Sequence, residues 1–391
     1  MTENTTKLDR GFGNVPPVDI SGFWAQRVRA LAHDAGIRIN GDQPNDIRVY
    51  DRRFFRRILL GGTLAFGESY MDGWWDTERL DECIERLLSA SMHSRYPTVD
   101  RQIAWLRQAI FNLQAASRAF QVGEAHYDLG NDFFRAMLDQ RMVYTCGYWA
   151  DAHNLDEAQE HKLELVCRKL QLQPGQKVLD IGCGWGSFAR YAAEHYGAHV
   201  VGLTISREQA ELARAECRNL PVEIRWQDYR EVNDRFDHIV SLGMFEHVGH
   251  KNYAEYMDVA YRCLSDDGLL LLHTIGKHEY GEQTDPWIAK YIFPNGEIPS
   301  LRRVSRGIEQ RFVLEDLHNF GADYDRTLMA WYRNFHAAWP DFSDQYGERF
   351  YRMWKYYLNC CAAAFRVRNL QLWQFVLAKH GMREGYRRPA M

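Results

Sequence analysis

Long apolar runs are missing from this sequence. The longest uninterrupted one lies near Leu269–Leu272, far short of the roughly 20 residues that a membrane-spanning helix needs, so no span is expected. The amino-terminal stretch MTENTTKLDR carries no apolar signal core, which points to the cytosol. The eight cysteines form no CxxC pair, which argues against a zinc knuckle or a disulfide framework and leaves each thiol as a packing or site residue. A large excess of one charge is absent too. With 48 basic and 52 acidic side chains the net charge is -4, so a nucleic-acid partner, which favours a basic patch, is not expected. Apolar and aromatic residues are plentiful, at 46% and 14% of 391 residues, enough for two domains with a sizeable core.

The chain is organised around KVLDIGCGWGSFARYAA, Lys177 to Ala193. A short apolar run (Val178, Leu179, Ile181) holds Asp180 and ends in three glycines, after which Phe188, Ala192 and His195 recur at helical spacing. That order reads as strand, tight turn, helix. Glycine permits positive φ and close backbone approach, which places a small molecule across Gly182, Gly184 and Gly186. A dinucleotide fold would show G-x-G-x-x-G and an acid roughly 20 residues further on. Here the spacing is G-x-G-x-G, and the next strand, Val200 to Thr204, ends without a carboxylate. DxGCGxG resembles motif I of the class I S-adenosylmethionine-dependent methyltransferases.

Strands over Val200–Leu203, Val222–Gln227, Phe236–Leu242 and Gly268–Ile275 alternate with helices over Asp156–Leu170 and Tyr253–Leu264. A further helix opens at Ser206, with Gln209 at capping-box spacing. This alternation predicts an α/β fold with a doubly wound, mostly parallel sheet and ligands at the carboxyl ends of its strands. Asp180, Gly182, Thr204, Gln227, Asp228, Glu246, His247 and His273 would then lie along one edge.

Residues 1–120 predict a smaller helical domain, for lipid docking or assembly, with its own core and helices over Phe23–Ala35, Asp51–Leu60, Leu80–Leu88 and Ile103–Ala119. Gly61, Gly62 and Gly67 predict turns. If Asp51–Leu60 is helical, Phe54, Phe55, Ile58 and Leu59 share one face and Arg52, Arg53, Arg56 and Arg57 the other. Two readings remain for that face: a solvated charged surface, or a contact to anionic headgroups contributing about 1 kcal/mol per cation. Residues 121–391 form the catalytic domain in this reading.

HYDLGNDFF, YTCGYW, LDIGCGWG, VVGLTIS, QDYR, MFEHVG, LLHTIG, DPWIAKYIFPNG, NFGADYDRTLMAWY, NCCAAAFR and LQLWQ follow one another through the carboxyl-terminal part. Together they resemble the bacterial cyclopropane-fatty-acyl-phospholipid synthases, and INGDQPNDIRV and GESYMDGWW resemble that family's amino-terminal part. The resemblance implies methylene transfer from S-adenosylmethionine to a cis double bond of a phospholipid acyl chain. The π bond attacks the sulfonium methyl, and the carbocation closes to a ring as a bound bicarbonate takes a proton. It implies Cys146 and Ile275 by main chain, and Glu246, His273 and Tyr324 by side chain, as bicarbonate ligands. Cofactor contacts implied are Tyr144, Thr145, Asp180, Gly182, Gly184, Thr204, Gln209, Trp226, Gln227 and Asp228. Cys361 falls where a catalytic cysteine has been proposed for the family, although a mechanism without a thiolate favours a pocket-lining role. Phe245, Tyr291, Phe293 and Tyr324 are candidates to stabilise the cation by their π faces, and Arg366 and Arg368 to meet lipid phosphate. The resemblance also implies a homodimer, peripheral on the inner face of a membrane. A methyl- or methylene-branching enzyme shares the first cation and is the alternative. A non-catalytic lipid- or cofactor-binding protein is opposed by the presence of Glu246, His273 and Tyr324 together.

Overall fold

A computed structural model of the chain describes residues 18–93, 129–278 and 284–390. The helix predicted over Ile103–Ala119, and the boundary at residues 120/121, lie outside them. Seven strands form the main sheet: β3 (Lys177–Ile181), β4 (His199–Thr204), β5 (Val222–Trp226), β6 (Phe236–Leu242), β7 (Leu264–Lys277), β8 (Val313–Asn319) and β9 (Leu370–Ala378). Their order is β5-β4-β3-β6-β7-β9-β8. The chain starts in the middle at β3, winds outward to β5, and returns to the other side of β3 with β6. That reversal opens a crevice at the carboxyl ends of β3 and β6, the usual ligand position in such sheets.

The five predicted strands are present and pair in parallel from β5 to β7. The predicted alternation misses β8 and β9, which pair antiparallel to each other and to β7. β8, VLEDLHN, alternates weakly and is half exposed, so its sequence carries little strand signal. β9 follows a helix with no turn residue of the Gly or Pro type before Leu370.

The amino-terminal helices are α1 (Phe23–Asp34), α2 (Arg53–Met71) and α3 (Leu80–His93), with a short hairpin of β1 (Arg48–Val49) and β2 (Trp75–Asp76). The turns predicted at Gly61, Gly62 and Gly67 are not turns. α2 runs through them, with one kink at Gly62, where φ is 55° and ψ is -141°. Gly67 is needed for close approach: a Cβ there would lie 2.5 Å from the Trp287 ring. Among the described residues the amino-terminal helices show no separate core. Phe54, Tyr70 and Trp75 belong to one buried cluster with Trp287, Tyr356 and Leu358. Arg352, 5% exposed, adds hydrogen bonds to the Tyr70 and Trp75 carbonyls.

Six further helices follow in chain order: α4 (Asn131–Met137), α5 (Leu155–Lys169), α6 (Ser187–Tyr196), α7 (Arg207–Glu216), α8 (Tyr253–Cys263) and α9 (Pro286–Tyr291). Then come α10 (Leu301–Ile308) and the long α11 (Ala322–Arg366), broken at Gly347, where φ is 72°. Asn154 caps α5 by accepting from the Glu157 N–H, and Ser206 caps α7 by accepting from the Gln209 N–H.

Candidate active site

The crevice between β3 and β6 is lined by nine of the ten predicted cofactor residues: Tyr144, Thr145, Asp180, Gly182, Gly184, Thr204, Gln209, Gln227 and Asp228. The glycines divide the labour. Gly182 has φ 87°, and a Cβ there would press on Met244 at 2.6 Å, so only glycine fits under the cleft. A Cβ on Gly184 would meet nothing within 4 Å, which leaves its backbone open to a ligand. Gly186 differs from the expectation. A Cβ there would meet Ala213 at 3.2 Å, so this glycine serves the packing of α6 on α7 and not the ligand.

Trp226 stands at the rim, next to the lining residue Ile205. It does not line the crevice: its ring is 45% exposed, and its Nε1 donates to the Ile205 carbonyl at 3.0 Å. Strand alternation sends its side chain to the rim. Asp228 lines the crevice and also caps the next turn, accepting from the Arg230 N–H at 2.9 Å. Thr204 donates to Gln209 Oε1 at 3.0 Å. Gln209 therefore uses its side chain across the cleft floor and only its N–H in the cap.

Asp180 is 1% exposed, and its Oδ2 has no hydrogen-bond partner among the described residues. Burial pushes its carboxyl up to about 7, opposed by the Lys162 charge. Lys162 is the residue that the sequence reading missed. It is fully buried, its Nζ donates to Thr145 Oγ1 at 2.9 Å, and burial lowers it to about 8. Its signal was present: α5 places Lys162 on the same face as Ala158 and Val166, where a cation has no business unless partnered.

Behind the crevice, Glu246 accepts from the Ile275 N–H at 2.6 Å through Oε1, while Oε2 is buried without a partner. Burial raises this acid to about 7. The Ile275 N–H thus orients the acid. His273 on β7 is 1% exposed, and burial lowers it well below the ordinary histidine range, so it is neutral. Burial raises the Tyr324 phenol well above its usual value, and Cys146 and Glu246 add to that push. A phenol so held is an O–H donor. The Cys146 thiol is buried and donates to the Gly147 carbonyl at 3.2 Å.

A chain of aromatic contacts runs from Tyr324 to Tyr144, which lines the crevice. Tyr324 meets Trp331 at 6.0 Å, Trp331 meets Tyr144 at 5.1 Å, and the Tyr144 and Tyr357 hydroxyls lie 3.0 Å apart. Phe293 continues it, 5.9 Å from Tyr357. Two predicted cation-stabilising rings are elsewhere. Phe245 is stacked on Tyr253 at 4.1 Å in the core, and Tyr291 donates to Glu68 at 2.9 Å. Arg366 is not free for phosphate: Asp325, Asp81 and Glu85 all pair with it at 2.8–3.0 Å. Arg368 is exposed and donates to Asn319 at 3.2 Å.

Burial pushes the Cys361 thiol up to about 12, so it is no thiolate at neutral pH. Cys361→Ser is expected to keep most of the activity, measured as label incorporated from S-adenosylmethionine into unsaturated phospholipid. Complete loss in a variant of unchanged melting temperature would overturn the pocket-lining role.

A doubly wound sheet of this order, with a glycine turn over a cleft at its switch point, defines a class I S-adenosylmethionine-dependent methyltransferase. The chain belongs to the mycolic acid cyclopropane synthetase family, whose sequence profile matches residues 114–375. It is 53% identical over 365 residues, covering 93% of this chain and 95% of the relative, to the cyclopropane-fatty-acyl-phospholipid synthase of Escherichia coli strain K12. Among solved structures it resembles the cyclopropane synthase MmaA2 from Mycobacterium tuberculosis, with 35% identity and a TM-score of 0.63 over 66% of this chain and 98% of that one. The mycolic acid cyclopropane synthase CmaA1 complexed with SAH and CTAB matches at 34% identity and a TM-score of 0.62, over 66% of this chain and 97% of the other.

Proposed function

We propose that the protein is a cyclopropane synthase acting on cis double bonds of phospholipid acyl chains within a bilayer, with bicarbonate as the base. The observation that carries the base is the Glu246 carboxylate, buried with one oxygen unpartnered and close enough to Tyr324 to raise its phenol, with His273 read as the second donor. Such a set suits a protonated anion: Glu246 accepts from its O–H, and the two donors serve its other oxygens. When bound, S-adenosylmethionine supplies an electrophilic methyl group and bicarbonate a base. The protein's own part is to orient and to shield. Gly182 and Gly184 admit the cofactor. Tyr144, Trp331, Tyr324 and Phe293 exclude water and offer π faces to a carbocation, about 2 kcal/mol or more when desolvated. No side chain needs to act as a nucleophile, in keeping with the cysteine thiols held protonated by burial.

The test is to incubate the protein with methyl-labelled S-adenosylmethionine, bicarbonate and unsaturated phospholipid vesicles, then analyse the acyl methyl esters. Gain of one CH2 with high-field ring protons is expected. A branched methyl or exocyclic methylene would move the activity to the branching alternative.

Among the described residues no helix is long and apolar enough to cross a membrane, so access to the acyl chain requires a docking surface. α1 and α2 supply the candidate: Phe23, Leu31 and Leu60 are 69%, 60% and 63% exposed. Within the arginine cluster, Arg53 and Arg57 are paired with Asp51 and with Glu68 and Asp72. Arg56 has no ion pair among the described residues, and Arg52 only a 4.0 Å contact to Asp19. Docking of a homodimer on the inner face of the membrane belongs to the same reading. Replacing Arg52 and Arg56 by alanine is expected to weaken binding to anionic vesicles by about 2 kcal/mol, roughly 30-fold. Cosedimentation that does not respond to the substitutions or to salt would refute the role.

A further inference from the structure

The antiparallel edge of the sheet sets three polar side chains in one row. His273 on β7 stands directly opposite Gln374 on β9, and Gln374 directly opposite His318 on β8; residues so paired project from the same face. Lys169, the last residue of α5, reaches the row with its side chain 0% exposed. Its Nζ donates to Gln374 Oε1 at 2.9 Å and to His318 Nδ1 at 3.1 Å, with the Asp316 carboxylate at 3.7 Å. Gln374, also fully buried, has its Nε2 3.1 Å from His273 Nδ1. Neither Lys169 nor Gln374 lines the cofactor crevice, and the mechanism above uses neither.

We propose that Lys169 and Gln374 are positioning residues that lock His273 in the neutral tautomer carrying its proton on Nε2. The inference rests on the reading of His273 as a hydrogen-bond donor in the reaction site. An ammonium group has three donors and no acceptor, so only the amide oxygen of Gln374 can face Lys169. The amide NH2 is thereby turned to His273, and a donor at that place requires Nδ1 to be a bare acceptor. A neutral imidazole has one proton, and it is left on Nε2. A flipped amide would set NH2 against the ammonium and an oxygen against the Nδ1 lone pair, two repulsions in a buried site. Burial lowers Lys169 to about 7, with Asp316 opposing; a neutral amine still has two N–H groups for the same two acceptors. Arg388 in turn pairs with Asp316 at 2.6 Å. An Nε2–H fixed in advance is a donor that needs no reorganisation when an anion or developing charge arrives.

The decisive measurement is long-range 1H–15N NMR of the full-length protein labelled in histidine, with His273 assigned by loss of its signals in His273→Gln. The wild type is expected to show a protonated Nε2 and a pyridine-type Nδ1 at His273. Gln374→Glu places an acceptor opposite Nδ1 and is expected to move a proton there, with kcat lowered about 100-fold and KM for S-adenosylmethionine unchanged. Gln374→Met, close in volume, is the second variant and is expected to give a mixture of tautomers. A proton on Nδ1 in the wild type, or an unchanged His273 signal in both Gln374 variants, would overturn the lock. If the tautomer moves as stated while His273→Gln and Gln374→Glu both keep full activity, the lock stands and the role of His273 in the reaction site falls.

Discussion

Glu246→Gln is expected to lower turnover by about 1,000-fold, to leave S-adenosylmethionine affinity unchanged, and to make the folded protein more stable at pH 8. The first part follows from what the carboxylate alone can do. It accepts from the Ile275 N–H with one oxygen and keeps the other buried and unpartnered. An amide keeps the first contact but presents NH2 where an acceptor is required. The stability part follows from linkage. The carboxyl titrates at about 7 in the folded protein against 4.5 in the unfolded chain. Between those values the unfolded chain has released a proton that the folded one still holds, so this group erodes stability as pH rises and no further above about 7. A gap of that size corresponds to about 3 kcal/mol. Urea unfolding should therefore find the variant and wild type alike near pH 4.5 and the variant ahead at pH 8, a stability cost of the kind active sites carry. Full activity in the variant, or wild type ahead at pH 8, would count against Glu246 as the site's buried acceptor.

Arg352→Ala should produce the largest loss of stability, about 3–5 kcal/mol. Its guanidinium is 5% exposed, donates to the Tyr70 and Trp75 carbonyls at 2.6 and 2.9 Å, and pairs with Asp76 at 2.9 Å. It also lies 4.0 Å from the centre of the Tyr70 ring. Truncation leaves a cavity and takes a donor from two carbonyls and a carboxylate; the Tyr70 carbonyl keeps the Gly73 N–H at 3.0 Å and Asp76 is partly exposed, so the Trp75 carbonyl loses most. Arg352→Lys should recover little, because one ammonium cannot reproduce the planar fork. A shift below about 1 kcal/mol in urea unfolding would mean that water replaces the lost donors.

The catalytic half was legible in the sequence because its signals are local. A strand-turn-helix is written in adjacent residues, and the three glycines of LDIGCGWG all take positive φ. Five alternating strands and helices then admit few topologies, since parallel crossovers are right-handed. Glu246 and His273 stood out because they fall after or at the end of predicted apolar strands, and their roles came from the family resemblance; in the structure Glu246 lies past β6 and His273 within β7. The misses have one cause. β8 and β9, the continuation of α2 through its glycines, and the core shared between the amino-terminal helices and α11 all depend on partners distant in the chain. Gly61, Gly62 and Gly67 look like turns until Trp287 packs against the helix at Gly67. Arg366 looks like a phosphate ligand until three carboxylates reach it.

Fold class and cofactor turn could be read from residues adjacent in the chain, because they rest on backbone geometry and residue chemistry. Protonation states could not. The upward shift of Glu246 to about 7, the neutrality of His273, the protonation of Cys361 and the downward shifts of Lys162 and Lys169 are set by how much water each group loses. Desolvation is a property of everything packed around a side chain, and most of that packing comes from far along the chain.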